Sequence, residues 1–418
     1  MEILFLTAHL PFPPASGGRR REFELVSRLG KNFKIHLCSL TTARETDGVY
    51  AKHLQPYCTS VSLFRAANPP SLNQHVRRYP WLMKRYYSEE GIHGISVLLR
   101  NQCFDIVHVE GYYLMQLLPS KLDVPVVLVE HNMEYLLNLQ RFLLSKSSQD
   151  IFSNWQEYYY TFLWERTYWK QATKIVTLTT EDETTVKRLE PKIDVRMIPN
   201  GIDHNLIIDK SESCNNGGMD NIAKYSNLIV HNYPSVLFVC NFAYEPNVDA
   251  ALYFSKQIFP LILKQVPDAK LFLVGNSPPS EICALATNNS TRKNIEVTGY
   301  VDSLYPFYKA VNVVVCPLRI GGGIKIKVLE AIKAGKAIVS TSIGAQGLDL
   351  NNRALCVCDK VSDFADNVIR FLVNPQERRR QEQEALRFAR TFLTWNQVKE
   401  EYLHCYNEIT SSANAQIR

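Results

Sequence analysis

Short, nearly unbroken apolar runs recur along the chain, separated by stretches with helical spacing. In the first half they are Ile3–Thr7, Lys34–Ser39, Ile106–Glu110, Val124–Val129, Lys174–Thr179 and Val195–Ile198. A strand covered on one face alternates apolar and polar residues, whereas one covered on both faces is apolar throughout. These runs therefore predict a parallel sheet sandwiched between helices such as Glu22–Leu29. The pattern stops after Pro199-Asn200-Gly201, and residues 204–234 carry Ser, Asn, Gly and Lys without an apolar period. That composition predicts a linker or mobile loop. The pattern then resumes with strands at Ser235–Cys240, Lys270–Val274, Ile295–Thr298, Asn312–Cys316, Ala337–Ser340 and near Ala354–Val357. Helices are predicted from about Val248, over Leu304–Ala310 and over Ile324–Ala334. The fold class is α/β: two doubly wound, Rossmann-like domains at residues 1–203 and 235–392, joined by the 204–234 segment. A chain of 418 residues suits two such domains better than one core. The tail from Gln376 to Ile409 reads as one or two amphipathic helices, and the part over 393–418 is expected to pack back toward the first domain.

One stretch breaks the alternation. Residues 134–172 are rich in Phe, Tyr and Trp at helical spacing. The plain expectation is a helical hairpin packed on the sheet. Exposed aromatic patches also mark binding surfaces, so an acceptor groove or a membrane-facing surface is the second reading.

The net charge of +6 is mild. It fits an anionic ligand or an acidic membrane surface and does not suggest nucleic acid. Ten cysteines are scattered, without paired CxxC motifs, so neither a zinc site nor a disulfide framework is expected. Cys38, Cys240 and Cys316 sit in apolar runs as small core residues, as in a reducing compartment. No run approaches the length of a membrane span. The expected location is cytoplasmic, with peripheral membrane contact left open.

In tandem doubly wound domains, ligands bind at the carboxyl ends of the strands, in the cleft between the domains. The loop most suited to an anion runs from Cys316 through Arg319, Gly321, Gly322 and Gly323 to the helix holding Lys325, Lys327 and Glu330. Without Cβ atoms, backbone N–H groups can approach a phosphate closely. The helix end adds unpaired donors and partial positive charge. Lysines in a first helical turn oppose the helix dipole, and an anionic partner explains them. Glu330 shares their face, where a carboxylate suits two ribose hydroxyls. Gly17 and Gly18, followed by Arg19-Arg20-Arg21, form a second glycine turn after the first strand, fit to cover a diphosphate. Glu130-His131-Asn132 follows a buried strand, and His131 is placed to bond a substrate hydroxyl or to act as acid or base. Pro199-Asn200-Gly201 reads as a tight turn at the hinge. There is no Asp-x-Asp triplet, no GxGxxG after the first strand, no P-loop and no GxSxG elbow. No metal site is therefore expected.

From Ile3 to about Tyr406 the chain resembles the GT-B glycosyltransferases, in particular the retaining family 4. The motifs are Pro14 with Gly17-Gly18, Phe104-Asp105-Ile106-Val107-His108, Glu130-His131-Asn132-Met133-Glu134, Glu165, Ile198-Pro199-Asn200-Gly201-Ile202-Asp203, Pro246-Asn247-Val248-Asp249-Ala250, Val274-Gly275, Val297-Thr298-Gly299-Tyr300-Val301 and the Gly321–Glu330 segment. The resemblance implies that Gly17 and Gly18 approach the donor diphosphate and His131 contacts the donor sugar. It implies further that Glu330 bonds the ribose, Lys327 lies near the phosphates, and backbone at Tyr300 and Val301 frames the base. Asn247 belongs to the same donor side. Gly322 stands where many members carry a Glu, and the Arg and Lys often found after the first strand of the second domain are absent. Arg319, Lys325 and Lys327 are then the cations available to the diphosphate. The expected reaction moves a hexose or amino-hexose from a nucleotide-diphosphate sugar, a UDP-sugar first, to an acceptor hydroxyl with retention. Neither cofactor nor metal is expected, and the acceptor is a lipid-linked sugar, a polysaccharide or a small natural product. A non-catalytic nucleotide-sugar-binding subunit and a GT-B-type epimerase are the alternatives.

Overall fold

The computed structural model describes residues 1–14, 16–66, 78–145, 147–202, 233–287, 293–301, 303–348 and 353–417, with side chains to residue 411. Asp203 and the expected linker up to residue 232 lie outside the described residues. The chain divides into two compact units: Met1–Gly201 with Trp395–Arg418, and Ile202–Thr394.

In the first unit, seven strands form one sheet: β1 (Glu2–Thr7), β2 (Lys34–Thr41), β3 (Ser60–Arg65), β4 (Ile106–Glu110), β5 (Val126–Glu130), β6 (Lys174–Thr177) and β7 (Val195–Met197). Their order is β3-β2-β1-β4-β5-β6-β7, and each pairing is parallel. The order reverses between β1 and β4. The central strands are buried on both faces, which is why they are apolar throughout. β3 is the exception: it is an edge strand, only half-buried, and its Ser-Val-Ser-Leu alternation escapes a search for continuous apolar runs.

Helix α1 spans Gly17–Leu29 and begins at the glycine pair, five residues before the expected start. Ser16 caps it, accepting the Arg19 N–H at 3.4 Å. The aromatic stretch forms α2 (Glu134–Leu144) packed on α3 (Ser148–Trp169), as the helical-hairpin reading expected. Glu165 of α3 accepts the backbone N–H groups of Glu134 and Tyr135 at 2.8 and 2.9 Å, so it caps α2 from the neighbouring helix. Tyr135, Tyr168 and Trp169 are buried, while Phe152, Trp155, Tyr159 and Leu163 form an exposed stripe. The helix Trp395–Ile417 belongs to this unit and packs on α1, with Val398, Tyr402, Cys405 and Tyr406 wholly buried.

The second unit holds β8 (Ser235–Val239), β9 (Lys270–Val274), β10 (Ile295–Gly299), β11 (Val313–Cys316), β12 (Ala337–Ser340) and β13 (Cys356–Val357). The order β10-β9-β8-β11-β12-β13 is again parallel and reverses between β8 and β11. Gly275 lets β9 end against β8, since a Cβ there would stand 1.5 Å from the Cys240 carbonyl oxygen. The helices that bear on the site are α4 (Glu245–Tyr253) and α5 (Ile326–Lys333). Behind them lie α6 (Val361–Val373) and α7 (Pro375–Thr391). The described cysteines are unpaired. Among the described residues no helix is long and apolar enough to cross a membrane.

Candidate functional site

In an open parallel sheet, the loops at the carboxyl ends of the two strands where the order reverses diverge and leave a crevice between them. In the second unit those loops follow β8 and β11. The β11 loop runs from Pro317 to Lys325 and turns through Gly323 at φ +60°, a left-handed conformation that favours glycine. It delivers α5, whose amino end has no side-chain cap and no acidic residue in its first turn. The Val328 and Leu329 N–H groups bond the Lys325 carbonyl at 2.9 and 3.2 Å, and no side chain caps the donors before them.

The helix begins at Ile326, later than the sequence suggests, and this changes the role of one lysine. Lys325 stands at the cap position with extended backbone, not in the first turn. Its Nζ donates to the carbonyls of Gly322 and Gly323 at 2.8 and 2.7 Å, fastening the loop to itself. Lys327 is in the first turn. Its Nζ donates to Asn247 Oδ1 at 2.6 Å and lies 4.8 Å over the Phe238 ring. Asn247 is fixed in turn by donating to the Asn241 carbonyl at 2.7 Å. The β8 loop and the β11 helix are thus tied through one polar bridge. Arg319 is held differently. It makes a two-pronged bond with the Asp249 carboxylate of α4 and lies 4.6 Å over the Tyr253 ring. Its charge is already countered there, whereas the sequence offered it as a cation for a ligand. Glu330 is half-exposed, three residues beyond Lys327 on the same helix. Tyr300, after β10, is 64% exposed, and Val301 is half-buried.

In the first unit the reversal falls between β1 and β4, and His131 follows the adjacent β5. Gly18 and His131 meet: a Cβ on Gly18 would lie 3.9 Å from His131 Nδ1. His131 is not isolated. Its Nε2 is bonded to Oε2 of Glu110, the last residue of β4. Glu110 is fully buried and also accepts from His108 Nε2 at 2.8 Å, with Arg21 Nε 3.7 Å away. Burial alone would raise Glu110, but its interaction with His131, the charge of Arg21 and the hydrogen bonds from His108 and His131 outweigh it and hold the carboxyl well below its usual range. Burial lowers His108, so its ring is neutral: Nε2–H donates to Glu110, and Nδ1 accepts from Tyr406 at 2.7 Å. Arg21 donates to Asn200 at 2.8 Å and to the Tyr402 hydroxyl at 2.5 Å. It is therefore a buried core cation, not a ligand for a diphosphate. Asn200, read as part of a hinge turn, is its buried partner. Burial and the nearby Glu110 charge push Glu22 well above the ordinary carboxylate range.

Sequence reasoning missed Glu110, His108, Tyr402 and Tyr406. The available signal was a His and a Glu inside the apolar run Ile106–Glu110, where a buried strand has no cheap place for either. A cavity in the second unit, lined by Tyr233, Lys270, Phe272 and Lys293, lies by the amino ends of its strands and contains none of the candidate residues.

Residues 15–206 match the family model described as Glycosyltransferase Family 4, and residues 233–374 the model described as Glycosyl transferases group 1. An uncharacterized 44.6 kDa protein in the cps region of Klebsiella pneumoniae is 28% identical over 156 residues, 36% of this chain. The match spans 40% of that relative's length. Among solved structures, sucrose-phosphate synthase from Thermosynechococcus elongatus is similar with a TM-score of 0.73 and 14% identity, over 99% of this chain and 100% of that one. Anabaena HepE in complex with UDP and glucose gives 0.67 and 14%, over 98% and 100%. WaaG, a glycosyltransferase involved in lipopolysaccharide biosynthesis, gives 0.62 and 16%, over 96% and 98%. At these identities the likeness speaks for the fold.

Proposed function

Because the chain belongs to the group 1 glycosyltransferases and has their GT-B type of fold, we propose that it moves a hexose or amino-hexose from a nucleotide-diphosphate sugar to an acceptor hydroxyl. The observation that carries this reading is the β11–α5 segment: a glycine loop that ends in an uncapped helix without first-turn acids, with Lys327 held beside it. Departure of the nucleoside diphosphate is the difficult part of such a transfer. Backbone donors at the amino end of α5 and the Lys327 ammonium would stabilise the charge that develops on the leaving phosphate. Lys325 contributes indirectly, by holding the loop carbonyls away from the anion. Glu330 takes the ribose hydroxyls, the backbone at Tyr300 and Val301 frames the base, and His131 meets the sugar. Uridine is the favoured nucleotide, in keeping with the UDP bound by HepE. The resemblance to the retaining family 4 implies retention, and with no carboxylate assigned as a nucleophile we read the transfer as a same-face displacement assisted by the leaving phosphate. The absence of an Asp-x-Asp triplet in the sequence favours a metal-independent route.

Thermal denaturation with UDP-, GDP- and ADP-sugars tests the donor. A ligand at about 100 times its Kd stabilises by about 2.7 kcal/mol, so a UDP-sugar is expected to raise the melting temperature by a few degrees. If none of the three classes raises it, the donor assignment fails.

A further inference from the structure

Glu110 occupies a costly place. A carboxylate with no solvent contact is tolerated only when paired and fully hydrogen-bonded. Its partners are His131 on Oε2, His108 on Oε1 at 2.8 Å, and Arg21 at 3.7 Å. Those partners are held in turn. Tyr406 fixes His108, and Asn200 and Tyr402 fix Arg21. Every member of this assembly is buried except His131, whose side chain is 21% exposed. Apolar residues of similar volume would hold the core as well as such a charged assembly does. What they could not do is fix the orientation of an exposed imidazole at its end.

We propose that Glu110 is a positioning residue for His131: its carboxylate holds the proton on Nε2, so that Nδ1 presents its lone pair at the amino end of α1. Gly18 keeps that position clear. An Nδ1 lone pair accepts a hydrogen bond from a sugar hydroxyl, which an Nδ1–H cannot do. This role of Nδ1 rests on the proposed glycosyl transfer, whereas the tautomer itself does not. The C-terminal helix takes part through Tyr406 and Tyr402, so the orientation of His131 depends on residues near the far end of the chain. The same logic governs the carboxylate of a Ser-His-Asp triad, where replacement by the amide leaves the geometry and installs the wrong tautomer.

The test uses the full chain labelled with 15N in its histidines, with the His131 signals identified by their loss in His131→Gln. In the wild type, His131 is expected to carry its proton on Nε2. In Glu110→Gln the amide NH2 faces Nε2 and the proton moves to Nδ1. A wild-type ring protonated on Nδ1, or a tautomer unchanged in a folded Glu110→Gln protein, overturns the proposal. Slow hydrolysis of UDP-glucose supplies the second readout. Glu110→Gln is expected to lower kcat about 100-fold or more, by analogy with a triad carrying the wrong tautomer, with KM little changed. In a His131→Ala background the same change should add less than about threefold, because residues acting as a unit are non-additive; full additivity would overturn the proposal. Glu110→Gln leaves Arg21 without its buried counter-charge. Should that variant not fold, Glu110→Asp keeps the charge but withdraws from His131; it is expected to mix the two tautomers, and an unmixed Nε2–H ring counts against the idea. The tautomer decides the role of Glu110 whether or not the wild type hydrolyses a nucleotide sugar, and the transfer reading is tested separately by donor binding.

Discussion

Three cations surround the β11 loop, and their partners set them apart. Arg319 is bound by Asp249, Lys325 by carbonyls of its own loop, and Lys327 by a neutral amide. Only Lys327 keeps its full charge uncountered by a carboxylate or bent back on the loop, so it should matter most to a diphosphate. A hydrogen bond to a charged group contributes about 1.5–3 kcal/mol. Lys327→Met should therefore weaken UDP-sugar binding by about tenfold or more, and Arg319→Met by less than about threefold. Calorimetric titration of both variants checks the order, and an Arg319→Met protein that binds worse than Lys327→Met reverses it. Glu22 offers a prediction in pH. Its folded carboxyl is raised above the ordinary value of 4.5, so the folded chain holds a proton that the unfolded chain releases. The stability tied to that proton is fully present below 4.5 and is lost as pH rises through the folded value. Glu22→Gln never ionises. It should melt above the wild type at pH 8, and the gap should close as pH falls toward 4.5; a gap constant with pH would show that Glu22 ionisation is not the cause.

The elements differ in how far the sequence announces them. Central strands such as Ile106–Glu110 and Lys270–Val274 are legible to the residue because double-sided burial demands continuous apolar runs. β3 lies at a sheet edge and carries no such run, whereas β13, also at an edge, falls within the expected Ala354–Val357. The helix α6 carries a regular apolar stripe of Phe364, Val368, Phe371 and Leu372, but it lies between the expected strand near Ala354–Val357 and the expected helical tail from Gln376. Helix starts slipped where glycines were read as loop: α1 begins at Gly17, which turns Arg21 inward. The glycines of the β11–α5 loop mark it as the candidate anion site, but what holds Arg319 and Lys327 comes from α4, some 70–80 residues away, and no local spacing encodes that. The C-terminal helix makes the same point, since no local spacing encodes its hydrogen bonds to Arg21 and His108. Tyr402→Phe removes the acceptor of a buried guanidinium, and an unsatisfied group of this kind costs about 1–3 kcal/mol. Chemical denaturation should show that loss. By contrast Trp155→Ser, on the exposed stripe of α3, should stay within about 0.5 kcal/mol of the wild type. A larger loss would mean that the stripe is packed in the folded chain.

Chain path makes the two units unequal as folding units. The second runs without interruption from Ile202 to Thr394, and among the described residues its sheet and core cluster draw on none outside that span. The first is discontinuous. Its sheet is complete by Met197, yet its buried cations and the His131 assembly need Tyr402 and Tyr406 from the end of the chain. A fragment of residues 202–394 should therefore fold alone and melt cooperatively. It should also bind UDP, because the loop, α5, Lys327 and Asn247 are all within it. Saturating UDP at about 100 times its Kd adds about 2.7 kcal/mol, and for a chain of this size each kcal/mol is worth about 2–4 °C. The expected shift is then about 5–10 °C. A fragment of residues 1–201 should fail to melt cooperatively, because Arg21 and Glu110 would be left in a core opened along α1. Adding a peptide of residues 395–418 should restore the transition. A cooperative melt of 1–201 without that peptide would mean that the C-terminal helix only covers the first unit and does not complete it.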